Sequence, residues 1–362
     1  MGTVLSYYFL SLVMIYLLAL NGVEAAFQIA PKPSDSYLYY GTFNLDFIEI
    51  GSQIFHEYPL FLKSVIYPFD SPYLAIFSQS IFLCLSVLLA FKKAPYINYA
   101  IILLSHCVIY TTSNFLKDNL ILIGVFFTVF LINEFKGVFI RVLIIALSLY
   151  LMSSIRPFLL LFMPLSFAPV FSVNLSKKVK VMFAVLALIG FAFVIYFNWG
   201  LINYVATKWS SDHSVGTSGM SILAPVKIFL GPTPLHYAKF EDYFIQPILA
   251  SHAYLLTVLH VFYYLLISLL FVMFVVNLRK MPRIYFNDVS SIYLFGIGFG
   301  LMLVYIIAYG TADIRQRALI HSFIFSSFLI NKDVRFDKYV PSEVISFVLL
   351  FLLIFVVTLL LG

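Results

Sequence analysis

Residues 289–321 read VSSIYLFGIGFGLMLVYIIAY, then GTADIRQR, then ALIH, and this stretch decides the fold. Val289 to Tyr309 contains no Asp, Glu, Lys or Arg. A helix that crosses a bilayer needs about 20 predominantly apolar residues. Asp313, Arg315 and Arg317 then follow before the apolar sequence resumes. On a helix Asp313 and Arg317 share a face, and so do Arg317 and His321, each pair being four residues apart. Charge is costly in a bilayer and is kept mainly where it functions. The stretch reads as span, polar site, span. The bland alternative is a short polar loop, but two arginines on a translocated side run against the positive-inside bias.

The rest of the chain has the same character. It has 362 residues, of which 62% are hydrophobic and 10% charged, and mean hydropathy is +1.02. A soluble domain carries roughly 25% charged residues, so lipid is the solvent this composition demands. The 40 Phe and 25 Tyr suit interfacial belts or the lining of a sugar or lipid groove. Net charge is +6, in short runs between apolar segments. That pattern reports membrane orientation and predicts no nucleic-acid partner. Cys84 and Cys107 lie inside apolar runs and read as packing residues. Without HExxH, CxxC or DxD clusters, the expectation is no metal and no cofactor.

The predicted fold is all-α: a polytopic transmembrane helix bundle of about eleven spans, forming a single integral-membrane domain over 1–362. Spans are placed near 4–22, 72–91, 95–111, 119–133, 138–155, 157–173, 180–198, 252–276, 289–309, 318–331 and 343–361. Several are short and read as tilted helices or as half-helices ending at a buried cavity. The first run is read as a retained span, because no basic residues precede it. Lys92-Lys93, Lys136 with Arg141, Lys177-Lys178 with Lys180, Arg279-Lys280 with Arg283, and Lys332 with Arg335 and Lys338 occupy every second connection. The positive-inside rule makes that face cytoplasmic. The N-terminus is then cytoplasmic, and two longer segments, 23–71 and 199–251, face outward. Ile48–Ile66 reads as an amphipathic helix lying in the interface.

Most of the unusual polar groups fall on the outward side. Asp35, Tyr37, Tyr39 and Tyr40 follow Pro31-Lys32-Pro33. A carboxylate can take a proton from a hydroxyl and tyrosine rings can stack on sugars; an interfacial tyrosine belt beside a solvated acid fits equally. Asn114, Lys117 and Asp118 sit between two apolar runs with almost no loop. Adjacent helical residues point about 100° apart, so Lys117 and Asp118 reach different partners, unless the segment is a capping turn led by Asn114 or Asp118. Arg156 precedes Pro157, which fits a first helical turn. Its guanidinium suits a phosphate or headgroup snorkelling. Gly231-Pro232-Thr233-Pro234 turns the chain out of a surface helix over Ile222–Leu230.

These residues resemble the bacterial multi-spanning polysaccharide polymerases of the Wzy/EpsG type, loosely similar to the GT-C glycosyltransferases. The resemblance rests on Asp35 with Tyr39-Tyr40, Asn114 with Lys117-Asp118, Arg156-Pro157, Gly231–Pro234 and Arg315-Gln316-Arg317, in that order over nearly the whole length. It implies joining of oligosaccharide repeat units carried on undecaprenyl diphosphate at the outer face of the bacterial inner membrane. The implied partners are that lipid-linked oligosaccharide, the bilayer and a chain-length regulator. Some members carry Arg-x10-Gly patterns in two outer loops; here Phe167 and Ser326 stand where those glycines would be.

Within this reading Tyr39, Tyr40, Lys117, Asp118, Arg156, Arg315, Arg317 and His321 bind substrate, and Asp35 and Asp313 are the catalytic acids. Asp313 is spaced to pair with Arg317, and a neighbouring cation weakens a carboxylate as a base. That leaves Asp35 as the base and Asp313 as the group orienting the arginine. The competing readings are a GT-C-type transferase with a polyprenyl-phosphate sugar donor, an O-antigen ligase, and a polysaccharide or lipid transporter. A transporter should show two related halves with interrupted helices, and no such duplication is visible.

Overall fold

The computed structural model describes residues 72–92, 94–103, 105–113, 118–153, 155–172, 176–200, 203, 228, 270–271, 288–309 and 314–331. The expected spans 4–22, 252–276 and 343–361, and almost all of segments 23–71 and 199–251, lie outside them, apart from Leu270 and Phe271. The described residues are overwhelmingly helical, with no strand among them.

Among the described residues nine α-helices follow in chain order: α1 (Pro72–Ala90), α2 (Tyr96–Leu103), α3 (His106–Ser113), α4 (Asp118–Glu134), α5 (Val138–Ser153), α6 (Met163–Ser172), α7 (Lys177–Phe197), α8 (Val289–Tyr309) and α9 (Ile314–Leu329). A 3₁₀ turn, Pro157–Phe162, leads into α6. Prolines stand at the first positions of α1 and of the 3₁₀ turn, where a missing N–H costs nothing. Two of the expected spans are interrupted. The run 95–111 is broken between Leu103 and His106, where Ser105 caps α3: its Oγ accepts from the Val108 amide at 3.4 Å. A serine hydroxyl there takes up a donor the helix cannot satisfy. The run 157–173 begins as the 3₁₀ turn. The last of these helices starts earlier than expected, at Ile314, so Gln316 and Arg317 are helical.

Long-range bonds fix the directions of the helices. Lys92 reaches Glu134 at 3.4 Å, and Gln79 bonds Asn119, so α1 and α4 run parallel. Ser290 Oγ donates to Asn133 Oδ1 at 2.7 Å, bringing the start of α8 to the end of α4. Asn98 Nδ2 donates to the Leu329 carbonyl at 2.7 Å, bringing the end of α9 to the start of α2. Helices α1, α4 and α9 therefore run one way, and α2, α3, α5 and α8 the other. One end holds Lys92, Glu134, Arg141 and Asp288, and the other holds Asp118, Arg156 and Arg317.

Capping closes the first of these ends. Arg141 Nε donates to the carbonyls of Ile132 and Phe135 at 3.1 and 2.8 Å, satisfying the C-terminus of α4. Asp288 accepts from the amides of Ser290 and Ser291 at the N-terminus of α8, as expected of an acid at a helix start.

Helix α4 is the hub. Ile121, Leu122, Val125, Phe126, Val129 and Ile132 are all buried. Phe126 packs against Phe323 of α9 with ring centroids 5.9 Å apart. Thr128 of α4 and Ser148 of α5 share a hydrogen bond. Helix α8 packs by lacking side chains. A Cβ on Gly300 would lie 2.7 Å from the Phe162 ring, and one on Gly296 would lie 3.0 Å from the Leu165 carbonyl oxygen. On the opposite side a Cβ on Gly298 would lie 2.7 Å from Ile324 Cγ1 and 3.1 Å from the Ile324 backbone nitrogen. Close approach through small residues is how helices associate where solvent supplies no hydrophobic drive.

The outer surface is apolar. Phe139, Leu143, Leu147 and Tyr150 on α5, and Ile189, Phe193, Tyr196 and Phe197 on α7, are exposed. Among the described residues one helix, Val289–Ile307, is long and apolar enough to cross a membrane; Ser78–Ala90, Val138–Ser153 and Val185–Phe197 are shorter apolar helices.

Gly298→Ala should cost about 1–3 kcal/mol, the usual range for overpacking, and lower the melting temperature of the detergent-purified protein. Gly200 has nothing within 4 Å of its would-be Cβ, so Gly200→Ala should leave melting unchanged. Equal melting of the two variants would disprove the close α8–α9 contact.

Candidate functional site

Asp118 opens α4 and has no exposed surface. An ionised carboxylate in that position must be paired and hydrogen-bonded. Arg156 supplies both. Its Nε donates to Oδ1 at 3.1 Å, and its Nη2 donates to Oδ1 at 2.9 Å and to Oδ2 at 3.0 Å. The backbone holds Arg156 at a fixed point: its N–H donates to the Met152 carbonyl at 3.0 Å, and its carbonyl accepts from Leu159 at 2.9 Å. It is thus the joint between α5 and the 3₁₀ turn. The Arg156 side chain keeps 16% of its surface exposed. The sequence reading sent Lys117 and Asp118 to different partners, and the partner of Asp118 is Arg156. The capping-turn alternative does not describe this carboxylate, which is engaged across helices. Nor is Arg156 aimed at an external phosphate alone, since one edge of its fork is committed to Asp118.

A second polar chain leaves the same helix start. Asn119 points about 100° away from Asp118. Its Nδ2 lies 3.1 Å from Gln79 Oε1 of α1, and its Oδ1 lies 3.2 Å from Thr112 Oγ1 of α3. Thr111 and Thr112 also reach the Cys107 and Val108 carbonyls of their own helix.

Helix α9 brings the third group. Gln316, Arg317 and His321 are buried, Arg317 with 4% exposure. Helices α4 and α9 are parallel and level at Phe126 and Phe323. At 1.5 Å per residue, Arg317 lies about 9 Å and Asp118 about 12 Å back from that level, so their backbones differ by about 3 Å in depth. His321 Nε2 donates to the Ile228 carbonyl at 2.9 Å, so that nitrogen carries a proton. Ile228 has no exposed surface, so at this residue the segment read as a surface helix is packed inside instead. Its carbonyl meets a buried imidazole that needs an acceptor.

Asp35, Tyr39, Tyr40, Lys117, Asp313 and Gly231–Pro234 lie outside the described residues, and with Asp313 the expected Asp313–Arg317 pair. Arg315 is placed in α9 by its backbone only. Among the described residues no three of His, Cys, Asp and Glu come together as a metal site. Gln79 and Thr112 carry no expectation from the sequence, and Asn119 and Gln316 stand in its motifs without a role of their own. The signal was there in Gln79, a lone amide in the apolar run 72–90, since polar groups at such depth are kept for a reason. Comparison with family models, curated proteins and solved structures finds no match to this chain.

Chemically, the described site combines one buried carboxylate, two guanidiniums and an imidazole, so cations outnumber the ionised carboxylate in apolar surroundings. Such a site favours an anion and strengthens every charged hydrogen bond it makes.

Breaking a buried ion pair from one side leaves an uncompensated charge and costs about 3–5 kcal/mol, whereas replacing both partners is far milder. Asp118→Leu and Arg156→Met should therefore each lower the melting temperature more than the double variant does. A double variant as unstable as the sum of the singles would show that the two groups are not coupled.

Proposed function

We propose that this chain is a multi-pass bacterial inner-membrane glycosyltransferase that joins oligosaccharide repeat units carried on undecaprenyl diphosphate, at the extracytoplasmic face. The observation that carries this reading is that the buried Asp118–Arg156 pair and buried Arg317 lie at similar depth, at the end opposite the Lys92–Arg141 loops of an apolar-coated helix assembly. Desolvating that much charge is justified by a ligand that needs it. Arginine is the side chain best suited to diphosphate oxygens, because its planar fork matches them.

In the proposed reaction the acceptor-sugar hydroxyl attacks C1 of the sugar at the reducing end of the growing chain. The new glycosidic C–O bond forms as the bond from C1 to the diphosphate breaks. The hydroxyl proton passes to Asp35, and undecaprenyl diphosphate leaves with the electron pair. Arg317, Arg315 and Arg156 counter the charge that grows on the leaving oxygen. Asp118 keeps Arg156 oriented, so little reorganisation is needed during transfer. His321, Lys117, Tyr39 and Tyr40 contact the saccharide-diphosphate, and Asp313 orients Arg317. A chain-length regulator is the proposed protein partner.

The activity test is polymerisation of purified lipid-linked repeat units by the full chain in lipid nanodiscs. Losing one charged hydrogen-bond partner costs roughly 1.5–3 kcal/mol, so Arg317→Ala should lower turnover more than ten-fold. Arg317→Lys should rescue poorly. Asp35→Asn should retain donor binding and lose transfer. Full-length polymer from a folded Arg317→Ala variant would sink the assignment.

Orientation is tested separately. In a background lacking Cys84 and Cys107, a cysteine at Ser210 should react with an impermeant thiol reagent added from outside. Reaction only from the cytoplasmic side would overturn the sidedness on which this reading stands.

A further inference from the structure

The Gln79–Asn119–Thr112 chain plays no part in the mechanism above, yet it starts one residue from the carboxylate that holds Arg156. Asn119 uses both arms of its amide inside the chain, one toward Gln79 and one toward Thr112. Gln79 uses only one. Among the described residues nothing pairs with its outer amide atom, although the residue is more than nine-tenths buried, at 6% exposure. That outer arm is not one of the fully enclosed unpaired atoms, so the small surface Gln79 keeps leaves it open to a ligand.

The chemistry of that partner follows from the polarity of the chain. Thr112 Oγ1 lies 3.2 Å from Asn119 Oδ1 and 2.8 Å from the Val108 carbonyl, and a threonine has one hydroxyl proton. When Thr112 donates to Asn119, the outer arm of Gln79 is an NH₂ donor. When Thr112 donates to Val108, both amides turn over and the outer arm is an oxygen acceptor. A hydroxyl satisfies either state, because it donates and accepts. An ionised phosphate oxygen satisfies only the first.

The geometry points to Gln79 as a substrate-binding residue that hydrogen-bonds a hydroxyl of the sugar joined to the diphosphate. This rests on the reading of the Arg156–Arg317 end as the diphosphate site. Gln79 then separates a saccharide-bearing lipid from the bare lipid, which the arginines alone hold equally well. Thr112 and Asn119 are positioning residues that set the angle of the Gln79 amide.

The test compares two probes on the full chain in nanodiscs: a polyprenyl diphosphate, and the same lipid carrying N-acetylglucosamine. Wild type should bind the sugar-bearing lipid about ten-fold more tightly, the scale of one well-made buried hydrogen bond. Gln79→Met should abolish that ratio while leaving the bare lipid's affinity unchanged. Gln79→Glu, which still offers oxygens to Asn119 and to a hydroxyl, should keep most of it. Since Gln79→Met also strips a bond from Asn119, wild-type protein supplies a second readout. The Gln79 side-chain amide resonances, assigned by their loss in Gln79→Glu, should shift with the sugar-bearing lipid and not with the bare one. A ratio of one in wild type, an unchanged ratio in Gln79→Met, or unmoved resonances would overturn this inference alone. Failure of wild type to bind either lipid would overturn the diphosphate reading, and this inference with it.

Discussion

A carboxylate with no exposed surface stands at the first turn of α4, and the arrangement around it follows from that constraint. An isolated charge there would be neutralised or would disrupt the packing. Arg156 can meet it only if α5 ends, the chain turns, and the 3₁₀ segment begins at that depth. Pro157 helps to fix this geometry, since a proline at the first helical position costs no hydrogen bond. The pair thus ties the α3–α4 connection to the α5–α6 connection, two points far apart in sequence. Such a pair is weak evidence for net stability, because desolvation offsets most of the Coulomb gain. Its value lies in specificity: it selects one register of α4 against α5.

The glycines of α8 perform the complementary task. With Gly296 and Gly300 facing the 3₁₀ turn and α6, and Gly298 facing α9, α8 is a thin wall between two packed neighbours. That closeness brings α9 near enough for Phe323 to meet Phe126. The level of that aromatic contact sets the depth of Arg317 relative to Asp118. The catalytic proposal therefore depends on residues with no polar chemistry at all.

Much of this architecture was legible in the sequence, and the rest was hidden for a definable reason. The charge-free run 289–309 announced α8, and the alternating basic loops announced that Lys92, Arg141 and the start of α8 share an end. Arg317 was singled out because charge beside an apolar run is costly. What sequence could not give was partner choice. Asp118 with Arg156, Gln79 with Asn119, and Asn98 with Leu329 join residues whose separation carries no periodic signal. The break at Ser105 was equally hidden, because 95–111 is apolar enough to pass as one helix. Hydropathy measures solvent preference, whereas the break depends on a local hydroxyl taking over an amide.

On the proposed function, the two polar chains that leave the start of α4 divide the work in a way their chemistry explains. Asp118 and Arg156 are ions, and among apolar helices ions are held rigidly by charged hydrogen bonds. Asn119, Gln79 and Thr112 are neutral, and their bonds reverse direction when the two amides turn over, which exchanges oxygen and nitrogen within the same space. Diphosphate is one invariant anion, best met by fixed cations. Sugar hydroxyls vary in direction from one saccharide to the next, and an amide that can present either of its ends tolerates that variation. A helix start that carries an acid and an amide side by side, about 100° apart, serves both needs from one anchored point.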